Sequence, residues 1–201
     1  MIISVGITGG IGSGKTTVCK IFESMGVPVY YADKRAKYLM THNWELKTKI
    51  KSLLGKNAYH RNGRLNRQAV AQKIFNNRSL LEKVNSLVHP AVHQDALAWF
   101  SSLDKTPYAL YEAALLVENG SYKSFDKLIV VSAPESLRID RVVRRDKTSR
   151  KEVALRIKNQ LPESEKIKVA DYVIVNDETH SIIESVVKVH RNLLNEIHGK
   201  D

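Results

Sequence analysis

The sequence predicts an α/β fold in which five parallel strands form a sheet flanked by helices. Three observations predict it. Short β-branched apolar runs alternate with stretches of helical spacing, a pattern typical of βαβ units. A glycine-rich stretch directly follows the first of these runs. Two connections are too long for one crossover helix, so we expect a helical insertion after the second strand and a second inserted part after the fourth.

Each strand is predicted where apolar residues run together and end at Gly, Asp or a turn residue. The first run, IISVGIT, ends at the glycine-rich stretch. A helix over residues 15–25 is expected next, because Val18, Ile21 and Phe22 recur at helical spacing and Gly26 can stop the helix. The five strands are predicted at residues 2–8, at residues 27–31, from residue 108, at residues 127–133 and at residues 171–177.

The long connection between the second and third strands has a mostly helical pattern. Helices are expected around residues 67–75 and 79–87, with a turn at HRNGR, and a last amphipathic helix is expected over about 180–197. We therefore predict a single domain with two inserted parts. Its core is about 1–33, 106–137 and 168–201, and its two inserted parts are about 34–105 and about 138–167.

The composition is basic, with 32 Lys and Arg against 21 Asp and Glu and a net charge of +11. Such an excess suits nucleic acid, a small polyanionic ligand or a solvated helix face. The basic stretches lack the interleaved aromatic residues that stack on single strands, so we expect no nucleic-acid partner.

No apolar run could span a bilayer, and Cys19 is the only cysteine. We expect a cytoplasmic protein without membrane contact, with Cys19 a buried hydrophobic residue rather than a reactive thiol.

The stretch GGIGSGKT, residues 9–16, matches the phosphate-binding P-loop G-x-x-x-x-G-K-[ST]. Glycines let backbone amides approach phosphate oxygens, and the helix that follows directs its positive end there. Lys15 is expected to reach the β- and γ-phosphates, Thr16 to join a Mg²⁺ shell and Thr17 to assist at the α-phosphate. The motif, with a strand before it and a helix after it, predicts a nucleoside-triphosphate site of the P-loop NTPase type. The expected nucleotide-binding residues are Gly10, Ile11, Gly12, Ser13, Gly14, Lys15, Thr16 and Thr17.

The P-loop does not name the phosphate acceptor, because motors, switches and small-molecule kinases share it. A short chain without a guanine-reading N-K-x-D segment favours a kinase. Asp33 ends the second predicted strand, at the sheet edge where α/β folds bind ligands, and a carboxylate there can orient or deprotonate an attacking hydroxyl. The alternative is that Asp33 is the N-cap of a helix that begins at Lys34.

Along nearly the whole chain, the sequence resembles the dephospho-coenzyme A kinase family. The resemblance begins at TGGIGSGKTT and GVPVYYAD and continues through NGRLNRQAV, VNSLVHPAV and EAALLVENG. An R-x-x-x-R-D stretch at residues 141–146 follows, then Arg156 and Gln160, and the last match is ADYVIVND. Most of these matches are weak individually, and their order and spacing along one chain make the resemblance strong.

The resemblance implies ATP-dependent phosphorylation of the ribose 3′-hydroxyl of dephospho-CoA, the last step of coenzyme A synthesis. Asp33 would be the general base and Lys15 would hold the phosphates. The helical insertion at about 34–105 would bind the acceptor substrate, and Arg141 and Arg145 would act from a helical lid at about 138–167. Arg145 would also contact the nucleotide, with Asn176 near its adenine end. The implied acceptor-binding residues are Thr8, Asp33, Arg67, His89, Leu115 and Leu116.

Magnesium is the metal that the resemblance implies, held at Thr16 with Asp33 or Glu112 acting through water. Several residues depart from the family pattern. Tyr31 stands where the family often has Asp, so any role shared by two carboxylates falls on Asp33 alone. Glu112 stands where Asp is usual. The other departures, which concern details of the substrate pocket, are Asn66, Ala114 and Val117.

The two lid arginines have an alternative interpretation. Arg141 and Arg145 are four residues apart, which predicts one helix face directed at a single ligand. They can equally form a solvated basic face or ion pairs with Asp140 or Asp146.

The histidines and tryptophans of the insertion also have two interpretations each. Pro90 predicts that His89 lies outside a helix, which disfavours a metal pair between His89 and His93. His89 is then either an acceptor-pocket residue or a hydrogen-bonded structural histidine. We expect Trp44 and Trp99 to pack in the core or in the insertion, or one of them to line the pantetheine or adenine site.

Two other functions fit the P-loop. One is a different small-molecule kinase, acting on a nucleoside monophosphate or a sugar acid. The other is a basic protein that binds nucleic acid and uses NTP as a switch. The favoured function predicts ATP, Mg²⁺ and dephospho-CoA as ligands, and we expect a monomer or a weak homo-oligomer.

Overall fold

The chain forms two compact units in the computed structural model, which describes residues 2–75 and 77–199. The first unit comprises Met1–Tyr31 and Asp104–Asp201, and the second comprises Ala32–Leu103. The first unit holds the sheet and the glycine-rich loop, and the second is helical.

The predicted parallel five-stranded sheet is confirmed. Its strands are β1 (Ile3–Thr8), β2 (Val29–Tyr31), β3 (Tyr108–Glu112), β4 (Lys127–Ser132) and β5 (Tyr172–Val175). Their order is β2-β3-β1-β4-β5, and every neighbouring pair is parallel. Because β1 lies between β3 and β4, the strand order changes direction beside it. Ligands of open α/β sheets bind outside the carboxyl ends of the strands at such a point.

Helices connect the strands and form the second unit. They are α1 (Lys15–Ser24), α2 (Ala32–His42), α3 (Trp44–Leu54), α4 (Arg67–Phe75), α5 (Arg78–Ser101), α6 (Glu135–Asp146), α7 (Arg150–Lys158), α8 (Glu163–Lys168) and α9 (Ile182–His198). Short 3₁₀ turns lie at Lys56–Ala58 and Ser121–Ser124. Over the described ranges, every helix is too short or too polar to cross a bilayer.

Alternating side chains give the sheet two apolar faces, as the period of a strand requires. One face packs against α1 and α9, where Phe22 meets Tyr108 edge-on at 6.5 Å between ring centroids. Cys19 is fully buried in this cluster, as predicted. The other face packs beneath Leu116, in the segment that follows β3. The residues that alternate are Val5 and Ile7 with Ile129 and Val131 on the first face, and Leu128 and Val130 on the second.

The second unit is held by apolar packing and by one two-bond ion pair. Arg35 of α2 donates to Asp95 of α5 from Nε at 2.8 Å and from Nη2 at 2.5 Å. The hydroxyl of Tyr59 donates to the carbonyl of Met40 at 2.7 Å, and burial raises the pKa of this tyrosine to about 12. The turn predicted at HRNGR is confirmed, with Gly63 donating to the carbonyl of His60 at 2.9 Å.

The prediction that His89 lies outside a helix is wrong. Helix α5 runs from Arg78 to Ser101 with Pro90 inside it. Proline removes one hydrogen bond to the preceding turn. On the other side of the helix, a stripe of buried residues at a spacing of four continues past the proline, and this packing offsets the lost bond. The stripe is Val84, Val88, Val92 and Ala96.

The packing predicted for Trp44 is also wrong, since 78% of this residue is exposed. Trp44 is the first residue of α3, directly after the N-cap Asn43, whose side chain accepts from the amide of Leu46. The cap sets the start of the helix and leaves the indole in solvent. Trp99 is half-buried and lies edge-on to Phe100, with 5.0 Å between ring centroids.

Replacing Pro90 by Ala should stabilise the protein. Alanine restores the amide donor and removes the clash of the proline ring with the preceding turn, at an exposed position in the middle of the helix. We expect the free energy of unfolding to rise by up to about 3 kcal/mol. Urea unfolding followed by circular dichroism measures it. Pro134→Ala is the control, because Pro134 stands at the N-cap of α6, where no intrahelical bond is lost. Equal unfolding midpoints for the wild type and Pro90→Ala would contradict the expectation.

Candidate nucleotide-binding site

The glycine-rich loop connects β1 to α1 with a left-handed backbone, which favours glycine, at two central positions. Gly12 and Gly14 have φ angles of +80° and +95°. A Cβ atom on Gly12 would lie 2.5 Å from the carbonyl oxygen of Arg138, and one on Gly14 would lie 2.1 Å from Nδ2 of Asn176. Glycine at these two positions therefore permits a left-handed backbone and also leaves room for Arg138 and Asn176 to approach closely.

Three side chains from outside the loop hold its backbone in place. Asn176, just beyond β5, donates from Nδ2 to the carbonyl of Ser13 at 2.9 Å. Gln160 accepts from the amide of Ile11 at 2.8 Å, and Arg138 donates from Nε to the carbonyl of Ile11 at 3.2 Å. A loop with few side chains of its own is in this way given a defined shape.

The charged and hydroxyl groups of the motif gather at the start of α1. The ammonium of Lys15 donates to the carbonyl of Gly9 at 2.8 Å and lies 3.4 Å from that of Gly10. Thr16 and Thr17, in the first turn of α1, are exposed. A helix start that combines these groups with its own amides is suited to binding an anion.

Three buried polar atoms around the loop lack a hydrogen-bond partner within the described part of the chain. They are Oγ1 of Thr8, Oγ of Ser13 and Nη1 of Arg141. Nη1 of Arg141 lies 4.0 Å from the position that a Cβ on Gly14 would occupy, so this donor is beside the loop. Buried polar groups are normally hydrogen-bonded, so these atoms indicate a polar ligand.

The two lid arginines have different partners. Arg141 donates from Nη2 to the main-chain oxygen of Asn176 at 3.1 Å and to Glu178 at 3.2 Å. Arg145 donates to Asp146 at 2.7 Å from Nε, the ion pair expected as one alternative. This hydrogen bond is the main reason that the pKa of Asp146 lies below its usual range. Arg141 is thus directed to the loop, whereas Arg145 is 62% exposed and paired with Asp146.

The two candidate carboxylates lie in different units. Glu112 ends β3, is only 8% exposed, and pairs in register with Ile7 of β1 and Tyr31 of β2. Asp33 belongs to the second unit and is the second residue of α2. The alternative that Asp33 is the N-cap of a helix beginning at Lys34 is wrong, because α2 begins at Ala32.

The acceptor-binding candidates also divide between the units. In the first unit, Leu116 is buried in the core, whereas Leu115 is exposed. In the second unit, Arg67 starts α4 and His89 lies on α5, both exposed. The second unit also has an open cavity of about 610 Å³, lined by residues that come just before Arg67 in the sequence. They are His60, Arg61, Asn62, Arg64 and Leu65.

Within the described ranges, no cluster of three or more His, Cys, Asp or Glu is suited to binding a metal, and the pair of His89 and His93 forms no such cluster.

Sequence reasoning missed two residues that support the loop. Arg138 is 6% exposed, and it pairs with Glu163 at 3.5 Å between Nη1 and Oε1. A signal for Arg138 was present, because it precedes the buried Val142 of α6 by four residues and so shares its face. Glu163, whose other bond comes from the amide of Ala133, carried no comparable signal.

The loop, its position after β1 and the strand order define the class, a P-loop α/β protein that binds nucleotide phosphates. The sequence profile of the dephospho-CoA kinase family matches residues 3–181. A dephospho-CoA kinase of Bacteroides fragilis is 34% identical, over 98% of this chain and 96% of its own. The chain belongs to the dephospho-CoA kinase family.

Two solved structures have the same fold. TT1252 from Thermus thermophilus is 33% identical, with a TM-score of 0.83 and 97% of each chain covered. The dephospho-CoA kinase from Campylobacter jejuni is 27% identical, with a TM-score of 0.72 and 100% of each chain covered. The likeness therefore extends over both units of the chain.

Replacing Gly14 by Ala should weaken nucleotide binding by about tenfold or more, because the new Cβ would displace Asn176 and release Ser13. Titration with a fluorescent ATP analogue measures the affinity. Gly26→Ala is a matched control, because Gly26 has a φ of +83° and nothing within 4 Å of its Cβ position. Both variants should lose about 1–2 kcal/mol of stability from the strained backbone. Equal nucleotide affinities in the two variants would refute the role of the close approach.

Proposed function

We propose that this protein transfers the γ-phosphoryl group of ATP to the ribose 3′-hydroxyl of dephospho-CoA, giving CoA and ADP in the last step of CoA biosynthesis. The observation that carries this proposal is the family match over residues 3–181, which includes the phosphate-binding loop and the whole helical unit. ATP use is a property of this kinase family.

The donor half of the reaction is assigned to the loop and its supports. Charge spreads over the oxygens of the phosphoryl group during transfer, so preorganised cations and amides supply most of the catalysis. Lys15 already lies at the loop carbonyls, and Nη1 of Arg141, which has no hydrogen-bond partner among the described residues, lies beside Gly14. We assign Lys15 to the β- and γ-phosphates and Arg141 to the nucleotide. Arg145 is assigned to the lid, where a phosphate would replace Asp146 as its partner.

Magnesium is part of this proposal, and the oxygen groups present fit it. The hydroxyl of Thr16 is exposed at the start of α1, and the nearly buried carboxylate of Glu112 ends the strand beside β1. Mg²⁺ prefers such oxygen ligands and keeps several waters, so Thr16 would bind it directly and Glu112 or Asp33 through water. The ion would neutralise charge on the β- and γ-phosphates.

The acceptor half is assigned to Asp33 and to exposed groups of the second unit. Asp33 follows the last residue of β2 by two positions and lies in the first turn of α2. We assign it to orient and deprotonate the 3′-hydroxyl, and Arg67 to pair with the pyrophosphate of the acceptor. His89 contributes to the acceptor pocket. A cytoplasmic monomer or weak homo-oligomer completes the proposal.

The acceptor is tested by measuring ADP release with a panel of acceptors. Dephospho-CoA should support turnover, whereas AMP, CMP, gluconate and shikimate should give only background rates. Clear turnover with one of these four, together with none on dephospho-CoA, would overturn the proposed acceptor and leave the P-loop kinase assignment intact.

Replacing Asp33 by Asn should lower kcat by about 10²- to 10⁴-fold, the usual contribution of a general base. ATP affinity should stay within about twofold, since the loop and its supporting side chains are unchanged. Coupled ADP release and a nucleotide titration measure the two quantities. Asp104→Asn, at an exposed aspartate, is the control and should leave kcat unchanged. Normal turnover by Asp33→Asn would exclude a catalytic role for this residue.

A further inference from the structure

The segment 160–166, which includes the start of α8, contacts three different parts of the first unit. Its first residue, Gln160, accepts from the amide of Ile11 in the phosphate-binding loop at 2.8 Å. Glu163 pairs with Arg138, which in turn donates to the carbonyl of Ile11. The last residue, Lys166, pairs with Glu118 in the segment that follows β3. These seven residues therefore connect the phosphate-binding loop with the segment that follows β3.

The ion pair of Lys166 with Glu118 is the most buried in this part of the structure. The side chain of Lys166 is 1% exposed and that of Glu118 is 14% exposed, with 2.5 Å between Nζ and Oε1. Among the described residues, Nζ of Lys166 and both carboxylate oxygens of Glu118 lack a hydrogen-bond partner of good geometry, so the ion pair is the contact that balances each charge. A buried ammonium without its counterion is strongly unfavourable, so the two side chains must stay together.

The pair therefore determines where the segment after β3 lies. Glu118 follows Leu115 and Leu116 by three and two residues, within a turn in which Asn119 donates to the carbonyl of Leu115 at 3.2 Å. Leu116 is buried against β4, and Leu115 is exposed. The same segment begins directly after Glu112, at the carboxyl end of β3. Moving Glu118 would move the surface around Leu115.

We propose that Lys166, through Glu118, is a positioning residue for phosphoryl transfer. The pair holds the segment of residues 113–118, on the acceptor side, at a set distance from the phosphate-binding loop, and Gln160 anchors the same segment 160–166 to that loop. This inference rests on the proposed function, because it takes the Leu115 surface to face the phosphate acceptor. Neither Lys166 nor Glu118 touches the reacting atoms.

Lys166→Met keeps the length of the side chain and removes its charge. We expect kcat to fall by about 10- to 100-fold and the KM for dephospho-CoA to rise, since small displacements of a reactant cost rate steeply. The affinity for a fluorescent ATP analogue should stay within about twofold, because Gln160 still holds Ile11. Lys168→Met is the matched control, since Lys168 lies on the same helix in an exposed pair with Glu165. It should leave all three quantities unchanged.

A double-mutant cycle separates positioning from general loss of stability. Lys166→Met, Glu118→Gln and the double variant should show the same fall in kcat, because each breaks one shared interaction. Glu118→Gln leaves a buried ammonium without its counterion and can prevent folding. The double variant has neither buried charge, so the comparison of Lys166→Met with the double variant remains available. Thermal unfolding of each variant sets an assay temperature at which all are folded.

Three results would overturn the proposal. The first is an unchanged kcat in Lys166→Met. The second is a fall in kcat of the double variant equal to the product of the two single falls. The third is a double variant in which both kcat and the melting temperature return to the wild-type values. A wild type that phosphorylates another acceptor contradicts the proposed function instead, and the same cycle is then measured with that acceptor.

Discussion

The site depends on one constraint, which is that a loop built mainly of glycine cannot hold its own shape. The amides of such a loop can approach phosphate closely, but its backbone loses much conformational entropy on ordering. Here that ordering comes from Asn176, Gln160 and Arg138, which bond to the carbonyl or amide groups of Ser13 and Ile11. The supporting residues come from three separate segments of the first unit, so the loop has this shape only when that unit is folded.

Some of the basic residues have structural roles near the phosphate-binding loop. A net charge of +11 is compatible with a nucleic-acid surface, but in this structure several of the cations have defined partners within the protein. Arg138 is buried against the loop, and Arg141 bonds to Asn176 while keeping one donor beside Gly14. Lys166 is buried with Glu118. Arg138 and Arg141 thus place positive charge beside the phosphate-binding loop, where it favours a polyphosphate ligand.

Local sequence rules failed at Pro90 and at Trp44, for different physical reasons. At Pro90, a stripe of buried residues with a spacing of four extends across the proline, and the packing of a whole helix face outweighs one missing hydrogen bond. At Trp44, the Asn43 cap determines where α3 begins, and the indole is left in water although its transfer to an apolar environment is favourable. Only the first case required long-range packing, because the Asn43 cap acts on Leu46, three residues away, and is itself a local signal.

The sequence by itself determined the elements, the parallel sheet and the phosphate-binding loop, because these depend on hydrophobic period, on glycine positions and on residues that are neighbours in the chain. It also indicated the family, through the order of many weak matches. Only the tertiary structure decided that Arg141 points to the loop while Arg145 pairs with Asp146. It alone joined Gln160 to Ile11, 149 residues away in the chain. Contacts between residues so far apart depend on how elements pack, and no local pattern encodes them.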